Sequence, residues 1–135
     1  MATYFYDSYA VIEYFTGSEN YKEYFENHGG VLTHMNLIEI HHAILKQFSE
    51  KDAENAAKTF SQFVAVPSLE IIIEASKFRL EHKGISYADA VGYIYAKLNG
   101  MKFLTGDRAF EDMPNVEFVK HESKKQDEQN DESTG

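Results

Sequence analysis

With 135 residues, 43% of them hydrophobic and 26% charged, the chain has apolar material for one domain with its own core and too much for wholesale disorder. It contains no cysteine, which removes disulfides, thiolate metal sites and a cysteine nucleophile; no run of 18 apolar residues and no secretory leader is visible, so a cytoplasmic protein without membrane attachment is expected. A formal charge of −9 argues against a broad electrostatic grip on nucleic acid.

Thr3 to Tyr6 is a short aromatic run with strand propensity, and Asp7-Ser8 opens a helix carrying Val11, Ile12, Tyr14 and Phe15. Asp7 is therefore either an ordinary N-cap or an acid held at the carboxyl end of a strand. Gly17-Ser18 breaks the helix, and residues 20–27 resume it with Tyr21, Tyr24 and Phe25 on one side. Those aromatics, with Tyr14, either pack into the core or form the wall of a partner groove. His28-Gly29-Gly30 reads as a turn and Val31-Leu32-Thr33 as the second strand.

Asn36 is expected to cap a long helix with Leu37, Ile38, Ile40, Ile44, Leu45 and Phe48 apolar. Glu39 lies between apolar neighbours, and a carboxylate buried there needs a partner or a cation. Glu39 and His42 form one Glu-x-x-His pair, whereas a di-iron bundle needs two. His34, His41 and His42 lack a recognisable zinc spacing.

Glu50 to Asp52 starts a helix with Ala53, Ala56, Ala57, Phe60 and Phe63 on one face, and Val64 to Val66 follows. Pro67-Ser68 opens the next, over residues 69–82, with Ile72, Ala75, Phe78 and the stem of Arg79 inward; Lys83-Gly84 closes it. Ser86 and Asp89 make an N-cap signature for a helix with Val91, Ile94, Tyr95 and Leu98, ended by Gly100. Lys102-Phe103-Leu104 is a buried strand, and Thr105-Gly106-Asp107 turns sharply at its carboxyl end, where open α/β sheets hold their ligands. Asp107 should line a crevice.

Arg108-Ala109-Phe110 makes a helical turn, and residues 116–119 form the last strand. Residues 121–135 carry five acids and two lysines without an aliphatic or aromatic side chain, so the domain is expected over 1–120 with a polar, disordered tail after it. The tail holds −3 of the charge and leaves −6 on the body, which four carboxylates binding two divalent cations would reduce to −2. Alternating strands and helices imply an α/β fold with a mostly parallel sheet flanked by helices, which gathers strand ends along one edge. Asp7 and Asp107 meet there; periodicity alone does not bring Glu39 and Asp89 to them.

Four stretches, YFYDS at 4–8, NLIEI at 36–40, SYADA at 86–90 and FLTGDRAF at 103–110, resemble in order and spacing the acid-bearing motifs of the PIN domain family, and most of all its VapC toxins. The resemblance spans residues 2–120 and implies a three-layer PIN-like sandwich. It further implies an endoribonuclease dependent on Mg²⁺ or Mn²⁺, with Asp7, Asp107, Asp89 and Glu39 as metal ligands and the Thr105 hydroxyl orienting a carboxylate. An RNA substrate, a cognate antitoxin protein and a homodimer belong to the same implication. The alternative is a catalytically quiet PIN-fold binding module within a protein or RNA-processing assembly. A flap-cleaving DNA nuclease needs helical elements for which this chain is too short.

Overall fold

The computed structural model describes residues 3–120; the segment 121–135, expected to be a polar tail, lies outside the described residues. Strand β1 (Thr3–Tyr6) leads directly into α1 (Ser8–Phe15), followed by α2 (Glu19–Glu26), β2 (Gly29–Val31), α3 (His34–Gln47) and α4 (Glu50–Ser61). Then come α5 (Leu69–Glu81), α6 (Tyr87–Leu98), β3 (Lys102–Thr105), a 3-10 turn (Arg108–Phe110) and β4 (Val116–Phe118). The four strands are all parallel, in the order β2-β1-β3-β4. Phe5 therefore lies between Val31 and Phe103, and Thr105 lies beside Phe118.

Because side chains alternate along a strand, the sheet divides its core in two. Tyr4, Tyr6 and Leu104 are buried with Val11, Ile40, Ile44 and Phe60 from α1, α3 and α4. Phe5 and Phe103 are buried on the other face with Ile71, Ala75, Tyr93 and Ile94 from α5 and α6. Helices cover both faces, giving the three-layer α/β sandwich. Where α6 crosses the sheet it has no room for a side chain at Gly92, since an added Cβ would come within 2.5 Å of the Phe5 ring and 3.0 Å of the Phe103 ring. Among the described residues no helix is long and apolar enough to cross a membrane.

Helix starts follow the capping serines. The hydroxyls of Ser49, Ser68 and Ser86 accept hydrogen bonds from the amides of Asp52, Ile71 and Asp89. Gly100, at φ 69°, takes the left-handed position just past α6.

Three expectations are corrected, and of the two readings of the aromatic arm core packing holds. Strand β2 lies two residues earlier than its hydrophobicity suggests, covering Gly29 and Gly30, because the Tyr6 ring occupies the space a Cβ on Gly30 would need. Leu32 contributes a single bridge to Val64, and Thr33, not Asn36, caps α3. Asn36 is the third helical residue, its side chain accepting from the Thr33 amide and hydroxyl at 2.9 Å each. In α5 the inward residue is Ile71, while Ile72 is 48% exposed. Tyr21 is fully buried, its hydroxyl donating to the Val119 carbonyl at 2.8 Å, and so forms no groove wall. Phe25 stacks on both Tyr6 and Tyr14, so the arm packs on its own domain.

Candidate active site

Asp7 follows the last residue of β1, and pairing of β1 with β3 sets it beside Thr105. It is 3% exposed, and its amide donates to the Leu104 carbonyl at 3.1 Å. The Thr105 hydroxyl donates to Asp7 Oδ2 at 2.6 Å and accepts from the Asp107 amide at 3.0 Å. One hydroxyl thus ties the two acids' positions together. Asp107 Oδ1 accepts from the Ala109 amide at 3.0 Å, which caps the 3-10 turn and fixes the carboxylate. As expected, Asp107 lines a cleft, of about 670 Å³, shared with Tyr9, Gly106, Arg108, Glu111, Phe118 and Lys120.

Asp89, in the first turn of α6, is half-buried and shares a hydrogen bond with Asp7. Glu39 reaches the same region from α3. Its residue surface is largely exposed, yet its Oε1 accepts from the Ser8 hydroxyl at 2.6 Å. Ser8 in turn accepts from Asn36 Nδ2 at 2.9 Å, and Asn36 is fully buried. A chain of hydrogen bonds therefore runs Thr33, Asn36, Ser8, Glu39, and holds the Glu39 carboxylate over the start of α1.

Like charges and burial set the electrostatics. Burial first, then the charge of Asp89, push the Asp7 carboxyl well above the usual carboxylate range, against the lowering effect of the Thr105 hydrogen bond. Burial also raises Asp89, with Asp107 adding to the rise while the bonds from Asp7 and Ser86 oppose it. Glu39 is raised by burial and by Asp89, and lowered by Ser8. Asp89 is thus the acid that couples electrostatically to all three others.

Among the described residues no group of three or more His, Cys, Asp or Glu side chains is placed to hold a metal ion as it stands. The acids are linked in pairs instead. The donor set is nevertheless all carboxylate oxygen, and Asp7, Asp89 and Glu39 hold protons above their ordinary range, both of which suit a hard divalent cation. His34, His41 and His42 lie apart from it, in an apolar hollow with Leu37 and Ile38.

Sequence reasoning places Asp7, Asp107 and Thr105 at one edge and misses Ser8 and Asn36 as the residues that position Glu39. Their signal is present: Ser8 follows Asp7 directly, and Asn36 precedes Glu39 by three residues, close to one helical turn.

The domain is thus all-parallel α/β, with carboxylates brought to the carboxyl edge of its sheet. The family model that matches residues 4–116 is that of the PIN domain, and the chain belongs to the PIN domain family. No curated protein matches it significantly in sequence. Several solved structures share the fold, three of them as follows. A toxin–antitoxin complex from Klebsiella pneumoniae is 22% identical with a TM-score of 0.67, the match covering 87% of this chain and 96% of that one. VapBC2 from Rickettsia felis, bound to a DNA fragment from its promoter, is 17% identical with a TM-score of 0.66, covering 87% and 98%. PAE2754 from Pyrobaculum aerophilum is 18% identical with a TM-score of 0.65, covering 87% and 90%.

Proposed function

We propose that the chain is a cytoplasmic, metal-dependent endoribonuclease, the toxin of a type II toxin–antitoxin pair, whose domain spans residues 1–120 and works with Mg²⁺ or Mn²⁺. The observation that carries this is Asp7, buried at 3% exposure against Thr105 and Asp89 with its carboxyl held well above the usual range. Such an acid is expensive to ionise unless a cation shares the site. Asp7 and Asp107 are the most direct ligands; Asp89 completes the set or positions water, and Glu39 holds a second ion or its waters. Mg²⁺ keeps several waters and is usually bound through one or two carboxylates plus substrate phosphate, which suits acids linked in pairs. When bound, the cation supplies charge for the phosphoryl oxygens and lowers the pKa of a water.

The chain's own residues prepare that centre. Thr105 keeps the Asp7 carboxylate turned to the sheet edge by donating to it while anchored by the Asp107 amide. Ser8, backed by Asn36, holds Glu39 within range of Asp89. An antitoxin protein as partner is supported by the toxin–antitoxin complexes that share the fold. A homodimer is supported by the apolar side chains that α5 leaves exposed, Leu69, Ile72, Ile73 and Leu80.

The test is cleavage of total cellular RNA by the purified chain with Mg²⁺, with Mn²⁺ and with EDTA, beside Asp7→Asn and Asp107→Asn. Discrete products that require metal and fall at least about 100-fold in both variants are expected, the scale of losing charge stabilisation at a transition state. Absence of both cleavage and Mn²⁺ binding in the folded chain would leave the partner-binding module standing instead.

A further inference from the structure

We infer that the cleft beside Asp107 is a nucleotide subsite for single-stranded RNA, in which Arg108 and Lys120 take a backbone phosphate next to the scissile one and Tyr9 and Phe118 face a base. This rests on the ribonuclease reading and specifies how that site grips its substrate. The cleft, of about 670 Å³, is lined by Tyr9 from α1, Gly106 to Arg108 and Glu111 after β3, and Phe118 and Lys120 at the end of β4. Its volume falls within the range of small-molecule sites and admits a base with its ribose. Because Asp107 is on the lining, the cleft begins at the chemistry.

Charge complementarity selects the occupant. The acids at the sheet edge repel phosphate, and a cation bound among them neutralises only the phosphate being cut. The neighbouring phosphates of a strand need cations of their own. Once Asp107 is assigned to the reaction, the lining carries Arg108 and Lys120 against Glu111 alone. Among the described residues Lys22, Lys58 and Lys77 are engaged by glutamates along their own helices, and of the cations left without an ion pair, Lys46, Lys51, Lys83, Lys97 and Lys102 included, Arg108 and Lys120 are the two on this cleft. Two aromatic side chains in the same lining, Tyr9 and Phe118, supply the sequence-tolerant surface on which unpaired bases stack. One of them is fixed: a Cβ on Gly106 would come within 2.5 Å of the Tyr9 ring and 2.8 Å of the Val119 carbonyl, so Tyr9 presses directly on backbone.

The experiment measures fluorescence anisotropy of a labelled, mixed-sequence single-stranded RNA of roughly 12 nucleotides, within the span such proteins contact. The full chain is held in EDTA so that the RNA stays intact, and salt runs from about 50 to about 200 mM. The Arg108→Gln/Lys120→Gln double variant is compared with wild type and with Lys58→Gln. All three positions are exposed, and a melting curve for each protein verifies the fold. The double variant should bind about tenfold more weakly. Its salt slope should be shallower by about 0.7, the contribution of one neutralised phosphate on a single strand. Lys58→Gln should match wild type.

Equal affinity and slope in the double variant, or no RNA binding by wild type, overturns the subsite. Binding that depends on Arg108 and Lys120, without cleavage under any metal, leaves the subsite standing and removes the ribonuclease. Metal-dependent cleavage with an unchanged KM in the double variant does the reverse.

Discussion

Ser8 carries two jobs at once, opening α1 and holding Glu39 at 2.6 Å. Replacing it with alanine strands the Asn36 amide and frees the glutamate, so Ser8→Ala should lose roughly 10- to 100-fold in RNA cleavage, the usual effect of removing a ligand's supporting hydrogen bond. It should also lower stability by about 1 kcal/mol. Full activity in a folded Ser8→Ala protein would show that Glu39 needs no such support. Asp7 makes a prediction of opposite sign for stability. Asp7, Asp89 and Glu39 all hold protons more tightly folded than unfolded, so the stability they contribute is complete at low pH and is lost as pH rises from the ordinary carboxylate range to their raised values. Asp7→Asn has no proton to lose there. In EDTA its melting temperature should equal that of wild type near pH 4 and exceed it near pH 7. A wild type that matches or exceeds the variant near pH 7 would contradict the repulsion. Asp7, Thr105 and Asp107 are legible in the sequence because each sits at or just past a strand end. The support of Glu39 is not, because Ser8 and Asn36 are 28 residues apart and meet only when α1 packs on α3.

Helix α6 brings Asp89 to the sheet and does so at very close range. Gly92 stands three residues after Asp89, close to one helical turn, at the crossing where Phe5 and Phe103 leave no room for a methyl group. A methyl group there lifts the helix that carries the acid, so Gly92→Ala should destabilise by about 1–3 kcal/mol, the range for overpacking a tight core. Cleavage should fall with it, measured at a temperature where the variant is still folded. Unchanged melting would mean that the two phenylalanine rings can yield. Elements with a local signal are legible: Ser49, Ser68 and Ser86 announce their helices, and Gly100 ends α6. Strand β2 is not, because two glycines read as a turn until the Tyr6 ring from the neighbouring strand claims the space above Gly30. The inward face of α5 is equally hidden. Ile71, Ile72 and Ile73 are consecutive, so three helix faces look alike until packing against α6 buries Ile71.

For the molecule as a whole, a formal charge of −9 and a crowded set of acids mean that a bound cation should act as a stabiliser. At about 100 times its dissociation constant, Mn²⁺ should add about 2.7 kcal/mol, or roughly 8 °C in melting temperature for a domain of this size. Asp7→Asn should lose most of that increment, and a melting temperature indifferent to Mn²⁺ in wild type would remove the metal from the site. The parallel sheet has a consequence for the timing of synthesis. Asp7 and Thr105, which share a hydrogen bond, are 98 residues apart, and β1 waits for β3 before its central pairing exists. Chains are made from the amino end, so a ribosome has already released β1, Asp7 and Glu39 long before Asp107 is added. A polypeptide interrupted just before β3 carries Asp7, Glu39 and Asp89 but lacks the strand that sets Thr105 and Asp107 beside them. The hazard that the proposed nuclease activity poses to the cell making it therefore begins only when translation of the domain is nearly done.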